Sequence, residues 1–374
     1  MENLTSENTF TDTADVKVSV IIPVYNAHEF LPEAIKSISA QTFTDFEVIF
    51  VDDGSTDRSL DIIKEFKERD ARARIVTENN AGPAAARNRG LARARGKYVI
   101  FLDADDFYEP PLIESLYTIS EQAGLDVAVA DFDIYNTKHG RFEHNVESDK
   151  FELLDGGRVV SKSTHPDEIL QCATGYVWNK MFRRDFLFEN ELSFNTSLKI
   201  FEDVHFVMTA LSTATAVAKK PEVLVHHRVY SEQSRPKMFK QHYANVISVY
   251  SELKKFLMHK GIYAPISLSF INLSASRCCK IYNILWKDAQ EDFWNMLHSS
   301  YAEELGWNSV NPEEIENPTV RRFIVGVSLY THKQYRKRKE ESFISVSDTQ
   351  MEQKFKRKKA FERFVGMLRF GRGN

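Results

Sequence analysis

Short apolar runs alternate with longer amphipathic stretches over the first part of this chain. Four of these runs predict strands, at residues 18–25, 46–53, 73–78 and 97–103. The stretches between them predict helices, because their apolar residues recur every three or four positions. Such alternation is typical of a parallel sheet that is covered by helices. The first run is almost wholly apolar, which indicates a strand buried on both faces.

The pattern changes towards the C terminus. Residues 126–136 and 216–228 predict further strands, and the polar residues 137–165 predict a hairpin or a loop. Beyond about residue 238 the alternation stops, and a helical pattern rich in aromatic residues continues to about residue 300. We therefore expect an α/β fold with a mostly parallel central sheet flanked by helices, followed by a mainly α-helical C-terminal appendage.

Charge separates the C-terminal tail from the rest of the chain. The 374 residues suffice for one large domain and a smaller region, and the net charge is −4. Residues 331–374 nevertheless carry thirteen Lys/Arg against five Asp/Glu, so this tail is strongly basic. A basic tail suits an anionic partner such as a membrane surface or a polyanionic chain. We expect no nucleic-acid partner.

The cysteine content and the N terminus indicate a cytoplasmic protein. Three cysteines occur without a CxxC or Cys/His pattern, which favours a reducing compartment. The first residues are polar and acidic, unlike a signal peptide, and no apolar run approaches the roughly 20 residues that cross a bilayer. Any membrane contact is therefore expected to be peripheral, on the inner face of the membrane.

The last residues predict one way to make that contact. Phe361, Phe364, Val365 and Leu368 lie at helical spacing among Lys and Arg residues. This is the pattern of a basic amphipathic helix on an anionic membrane. A helix packed on its own domain, or a disordered tail, fits the same residues.

Acidic side chains follow the second and fourth predicted strands. Asp53 ends the second, and Asp103, Asp105 and Asp106 follow the fourth. In open α/β sheets ligands bind beyond the carboxyl ends of the strands. Clustered carboxylates repel one another unless a cation lies among them, and their oxygens suit Mg²⁺ or Mn²⁺, which bind diphosphates. An acidic turn without a metal is the alternative.

Other polar residues have a structural and a functional interpretation. Asp53 either belongs to a turn or accepts hydrogen bonds from a base or a ribose. Arg87, one turn inside a predicted helix, either faces solvent or contacts a base or a diphosphate. Glu202 and Asp203 either stabilise a helix N terminus or supply an acid/base group.

Two adjacent histidines follow the apolar run near residue 225. On a strand, His226 and His227 point to opposite faces, so at most one of them reaches a given site. Each fits an ordinary core or surface position, and one of them fits a metal ligand.

As a set, these motifs resemble family 2 glycosyltransferases of the GT-A fold. The nucleotide-sugar-binding half is similar to VSVIIPVYNAHEFLPEAIKSISAQTFTDFEVIFVDDGSTDRS and NNAGPAAARNRGLARARGKYVIFLDADD. The segments WNKMFRRDF, FEDVHF and HHR resemble the acceptor half of bacterial members that build capsule, exopolysaccharide or wall teichoic acid glycans. The resemblance is strong over residues 16–135 and weaker to about residue 236.

The resemblance implies roles for individual residues. Seven residues would bind the donor, namely Pro23, Tyr25, Asp53, Asn80, Arg87, Asp103 and Asp105. Asp105, with Asp103 and His226, would hold Mn²⁺ or Mg²⁺. Asp203 would be the general base with Glu202 beside it, and Trp178, Lys180 and Arg228 would approach the acceptor or the diphosphate.

The resemblance also implies a reaction. It is inverting, metal-dependent transfer of a sugar from a nucleotide donor, usually UDP-linked, to a hydroxyl of a cell-surface glycan precursor or a teichoic-acid-type polymer. Lipid-linked and polyanionic acceptors both fit. The QxxRW motif of processive synthases is absent from the sequence, which argues against a membrane-embedded polymerase. The alternative is a non-catalytic glycan-binding partner of another glycosyltransferase.

These expectations divide the chain into four parts. They are a disordered N terminus (1–15), a GT-A catalytic domain (16–238, with a donor half to 135 and an acceptor half from 136), a helical region (239–330) and a basic, partly amphipathic tail (331–374).

Overall fold

Nine strands form one twisted sheet in the computed structural model, which describes residues 16–144, 151–229 and 234–341. Their order across the sheet is β3-β2-β1-β4-β8-β6-β9-β5, with β7 paired to β6. The strands are β1 (Val18–Val24), β2 (Phe46–Asp52), β3 (Ala73–Thr77), β4 (Tyr98–Phe101), β5 (Phe107–Tyr108), β6 (Val127–Asn136), β7 (Arg141–His144), β8 (Lys180–Arg183) and β9 (Val217–Val229).

Twelve α-helices accompany the sheet within the same described ranges, besides short 3-10 and π-helical turns. They are α1 (Leu31–Ser39), α2 (Ser59–Arg69), α3 (Pro83–Leu91), α4 (Leu112–Ala123), α5 (Arg184–Glu189), α6 (Glu202–Thr213), α7 (Ser234–His259), α8 (Ser267–Ile284), α9 (Lys287–Met296), α10 (Ala302–Glu304), α11 (Pro318–Leu329) and α12 (His332–Glu341).

The sheet is mostly parallel, as the sequence predicted. Strands β1–β4, β6 and β9 run in one direction, and the short strands β5, β7 and β8 run in the other. The predicted hairpin after β6 is confirmed by β7. The antiparallel β8, between β4 and β6, was not predicted, because its four residues carry no strand pattern that the sequence analysis recognised. Insertion of β8 joins the two halves into one sheet.

Register aligns the strand ends that carry the polar residues. Val24 of β1 pairs with Asp52 of β2, and Asp52 pairs with Thr77 of β3. The carboxyl ends of these parallel strands therefore meet at one edge. Helix α3 packs against β1, and a side chain at Gly90 would overlap Ile21, so this glycine permits the close approach.

The C-terminal helices pack directly on the sheet domain. Trp294, Trp307 and Phe323 are fully buried, and they belong to a hydrophobic core that also contains Phe206 of α6. The expected helical C-terminal region is thus confirmed. Within the described ranges, every helix is too short or too polar to cross a bilayer. The predicted disordered residues 1–15 and the amphipathic segment near Phe361 lie outside the described residues.

Candidate active site

A cleft of about 710 Å³ opens at the carboxyl ends of β1, β2 and β4. All seven residues that the sequence predicted for the donor line this cleft: Pro23, Tyr25, Asp53, Asn80, Arg87, Asp103 and Asp105. Tyr25 is half exposed at its rim. The parallel register explains the convergence, since segments distant in sequence leave the sheet at the same edge.

Asp53 holds the loop that precedes α3. Its side chain is buried, and its two oxygens accept hydrogen bonds from the backbone N–H groups of Ala81 and Gly82, both at 2.8 Å. Gly82 has φ +89°, which favours glycine at this point. Asp53 thereby fixes the wall that carries Asn80, and its contact with a nucleobase stays a prediction.

Three carboxylates cluster after β4. One oxygen each of Asp103, Asp105 and Asp106 lies within 4.8 Å of the others. Asp106 is only 1% exposed and accepts a hydrogen bond from the backbone N–H of Arg228 at 2.8 Å. Burial raises the pKa of Asp106, and the charge of Asp103 adds to that shift. Three oxygen ligands of this kind fit Mg²⁺ or Mn²⁺, whose charge would relieve the repulsion.

The histidine assigned to this cluster needs a correction. The His226 Nδ1 lies 2.6 Å from Asp133 Oδ1, and its Nε2 lies 2.9 Å from Glu109 Oε1, so both ring nitrogens are engaged elsewhere. The His227 Nδ1 instead lies 3.1 Å from Asp106 Oδ1. Strand alternation sends the neighbouring side chains to opposite faces, and His227 is the one that faces the cluster.

Arg87 joins the acidic cluster to the start of α6. It is 6% exposed; its Nη2 donates to Asp103 Oδ1 at 2.9 Å and its Nη1 to Glu202 Oε1 at 3.0 Å. Burial alone would lower its pKa, but the charges of Asp103, Glu202 and Asp203 raise it overall. The interpretation of Arg87 as a surface residue is therefore wrong, and the arginine is permanently charged at the junction of the two halves.

Asp203 follows Glu202 in the first turn of α6. Burial and the adjacent charge of Glu202 raise the pKa of Asp203 to about 7, although Arg87 acts in the opposite direction. Phe201, just before the helix, adopts φ +59°, an uncommon value for a residue with a side chain. This conformation starts α6 abruptly and brings both carboxylates beside Arg87. A carboxylate that is half ionised near neutral pH suits proton transfer.

Trp178 and Lys180 are buried, which corrects their expected place beside the acceptor or the diphosphate. Lys180 is 0% exposed, and its Nζ donates to the Tyr176 carbonyl at 2.6 Å and to Asn179 Oδ1 at 2.7 Å. Burial lowers its pKa to about 7. Trp178 stacks on Tyr176 and on His227, with ring centroids 4.9 Å apart in each pair. Trp178 therefore contacts His227, whose ring lies beside Asp106 of the acidic cluster.

Arg228 is likewise held away from the open cleft. Its Nε donates to the Asp105 carbonyl at 2.8 Å, and its Nη2 donates to Glu33 Oε2 at 2.5 Å. The guanidinium also lies over the rings of Phe30 and Phe107. Arg228 therefore fixes the backbone of the acidic turn, which corrects its expected contact with the acceptor or the diphosphate.

The resemblance assigns the metal to Asp103, Asp105 and His226, and it gives no role to Asp106 or His227. Asp106 is the most deeply buried carboxylate of the cluster, and His227 is its neighbour. Strand alternation places the two histidines on opposite faces of β9, but the sequence alone does not show which face meets the acidic cluster.

The chain is similar in sequence to known glycosyltransferases. The profile of Glycosyl transferase family 2 matches residues 19–187. An uncharacterized glycosyltransferase of Escherichia coli K12, YibD, is 30% identical over 275 residues, which cover 70% of this chain and 78% of that protein. The poly(ribitol-phosphate) beta-glucosyltransferase of Bacillus spizizenii is 31% identical over 54% of this chain and 31% of its own length.

A solved structure shares the fold over most of the chain. Staphylococcus aureus TarS, residues 1–349, in complex with UDP-GlcNAc, superposes with a TM-score of 0.68. The superposition covers 89% of this chain and 95% of that one at 19% sequence identity. The match includes the helical C-terminal region as well as the sheet.

Proposed function

Because this chain belongs to glycosyl transferase family 2 and is a glycosyltransferase, we propose that it moves a sugar from a UDP-linked donor to a hydroxyl of a cell-surface glycan precursor or teichoic-acid-type polymer. The observation that carries the proposal is that Arg87 lines the donor cleft, bonds Asp103 there and also bonds Glu202, which is the neighbour of Asp203 in the first turn of α6. A purely glycan-binding partner protein has no need of this arrangement.

The donor proposal is supported by the shape and lining of the cleft. Its rim offers the ring of Tyr25 for stacking on a base, and its floor carries the cationic Arg87 near the acidic cluster. TarS, which has the same fold, is described with UDP and with UDP-GlcNAc. UDP-linked hexoses and N-acetylhexosamines are therefore the first donors to examine.

The metal proposal assigns Asp105 and Asp103 as ligands, with Asp106 beside them. A bound Mn²⁺ or Mg²⁺ would neutralise diphosphate charge and improve the leaving group. His227 and Arg228 hold Asp106 and the turn in place, so the three oxygens are already close together.

Asp203 is the proposed general base. Its ionised carboxylate takes the proton of the acceptor hydroxyl while that oxygen attacks the anomeric carbon from the face opposite the diphosphate. The carbon–oxygen bond to the diphosphate breaks in the same displacement, so the configuration inverts. Arg87 keeps Glu202 paired, which leaves Asp203 as the carboxylate that takes up the proton.

A donor screen tests the proposal. Purified protein, with Mn²⁺ and a panel of UDP-, GDP- and dTDP-linked sugars, should release UDP from one UDP-sugar, and an Asp105→Ala variant should not. If the wild-type protein releases no nucleotide from any donor, with and without cell-envelope glycans as acceptors, the enzymatic proposal fails.

The basic residues at the C terminus indicate where the protein acts. We propose that the protein acts in the cytoplasm at the inner face of the membrane, because basic C-terminal residues are attracted to the anionic lipids of that face. Deletion of residues 354–374 should release the protein from anionic liposomes, and unchanged sedimentation would exclude the tail as the anchor.

A further inference from the structure

Three helices of the C-terminal region carry many cations and almost no carboxylates. Helices α8 and α11 contain no Asp or Glu, and α12 contains them only at its last two positions, Glu340 and Glu341. The chain as a whole is acidic, with a net charge of −4, so these helices depart strongly from the rest. Together they carry nine Lys and Arg residues: Arg277, Lys280, Arg321, Arg322, Lys333, Arg336, Lys337, Arg338 and Lys339.

The packing of the helices brings some of these cations together. Helix α11 packs against both α8 and α12. The Nζ of Lys339 on α12 donates to Oδ1 of Asn283 on α8 at 3.5 Å. Burial raises the pKa of the Cys279 thiol on α8 to about 11, and three nearby cations act against that shift. They are Lys339, Lys280 and Arg322. One cation from each helix therefore lies close to Cys279.

Two large apolar side chains are exposed beside these cations. Ile284 lies four residues after Lys280 on α8, so the two side chains are neighbours on one face of the helix. Ile284 is 45% exposed, and Trp286, just beyond the end of α8, is 48% exposed. Asn283, which Lys339 contacts, adjoins Ile284 in the chain. We call the following five residues the basic surface: Lys280, Ile284, Trp286, Arg322 and Lys339.

The basic surface has a limit on one side and a basic continuation at α12. Helix α9 follows Trp286 and carries Asp288, Glu291 and Asp292, so it limits the positively charged region. The described chain reaches residue 341, two residues after Lys339, and the basic segment 354–374 follows in the sequence. The segment that was predicted to contact a membrane is thus connected to the chain beside this surface.

An anionic lipid bilayer fits this combination of side chains better than a soluble polyanion or a second copy of the chain. Cations near a membrane are attracted to anionic head groups, and tryptophan favours the boundary between head groups and hydrocarbon. A phosphate polymer in solution would engage the cations but offers no apolar environment to Ile284 and Trp286. A second copy docked about a twofold axis would place like charges opposite one another.

We propose that the basic surface lies on an anionic membrane, with Trp286 and Ile284 at the level of the head groups and the cations of α8, α11 and α12 beside lipid phosphates. The inference rests on the membrane location proposed above, and it assigns part of the contact to folded helices instead of to the tail alone.

Sedimentation of the full-length protein with liposomes tests the cations of this surface. The vesicles contain either phosphatidylcholine alone or equal amounts of phosphatidylcholine and phosphatidylglycerol. Lys280→Glu combined with Lys339→Glu should weaken binding to the anionic vesicles by at least about thirtyfold, because two cations near the lipid are reversed. Lys64→Glu combined with Lys67→Glu makes the same charge change at two exposed positions of α2. This control should stay within about threefold of the wild type, because charges far from the lipid are screened.

A second substitution tests the apolar contact. Trp286→Ser should weaken binding to the anionic vesicles by about tenfold. Phe188→Ser, at an aromatic residue of α5 that is 53% exposed, should bind like the wild type. Because all the substituted side chains are exposed, the midpoints of thermal unfolding should equal that of the wild type.

Several results would overturn the inference. Wild-type binding by the Lys280 and Lys339 variant, or an equal loss in the α2 control, would exclude a specific role of the basic surface. A loss of binding to soluble poly(glycerol phosphate) without a loss of binding to vesicles would assign the cations to a polymer. Binding that is lost on deletion of residues 354–374 but kept in the surface variants would refute this inference alone, whereas no binding by the wild type would refute the membrane location as well.

Discussion

Replacement of Arg87 by methionine should show how much the charge of this arginine stabilises the folded protein. The guanidinium is the shared partner of Asp103, at 2.9 Å, and of Glu202, at 3.0 Å, and it is almost fully buried. Removal of one partner from a buried ion pair leaves uncompensated charge and costs about 3–5 kcal/mol. Methionine preserves most of the side-chain volume, so the loss reports charge more than packing. We expect the free energy of unfolding to fall by about that amount at pH 8.

The loss of unfolding free energy in Arg87→Met should depend on pH. The pKa of Asp203 is about 7 in the folded protein, above its ordinary value, and Arg87 is the cation that holds it from rising further. A carboxyl with a raised folded pKa loses stability as pH rises from its unfolded value towards its folded value. Without Arg87 that window extends above pH 7. The variant should therefore approach the stability of the wild type at pH 5.5 and fall furthest behind at pH 8.

Urea unfolding at both pH values measures this, and Arg89→Met is the matched control. Arg89 lies on the same helix, is exposed and pairs with Glu78, so its loss should cost less than about 1 kcal/mol. If Arg87→Met is as stable as Arg89→Met, or if its deficit is the same at pH 5.5 and pH 8, the described charge network is wrong.

Three further predictions address proton transfer, packing and a buried amine. The kcat/KM for transfer should rise with pH through about 7 and then level, because Asp203 must be ionised to accept a proton; a flat profile from pH 5.5 to 8.5 would contradict this role. Gly96→Ala should lower the unfolding free energy by about 1–3 kcal/mol in urea, because the new Cβ would lie 2.5 Å from the backbone nitrogen of Ser19; an unchanged midpoint would refute that contact. Lys180 has a folded pKa of about 7, so between pH 7 and 10 the unfolded chain binds a proton that the folded protein does not, and the free energy of unfolding rises with pH. Lys180→Met should lose this rise. Equal pH slopes of the unfolding free energy in the variant and the wild type would contradict the described burial of Lys180.

Sequence patterns predicted the donor half well because its chemistry follows directly from parallel strands. Asp53, Arg87 and Asp105 leave different strands or helices, yet one sheet edge brings them together. The apolar runs fixed those strand ends to within a residue or two. The resemblance to family 2 glycosyltransferases then named the residues that line the cleft.

The acceptor half was harder to predict because its contacts depend on an antiparallel insertion. Strand β8 is four residues long, and its position between β4 and β6 is what buries Lys180. No local periodicity distinguishes such a strand from a loop. The predicted roles of His226 and Arg228 were wrong for a related reason. His226 contacts Glu109 and Asp133, and Arg228 contacts Glu33. These partners come from distant segments that share no motif with the two residues.

The most direct measurement compares donor binding and sugar transfer in Asp105→Ala and Asp203→Asn. With Mn²⁺ and the donor found by the nucleotide-release screen, Asp203→Asn should bind the UDP-sugar like the wild type and transfer about 10²–10⁴-fold more slowly. Asp105→Ala should lose donor binding itself. Transfer at the wild-type rate by Asp203→Asn, or donor affinity equal to the wild type in Asp105→Ala, would contradict the division of the site into a metal-dependent donor cleft and a carboxylate base.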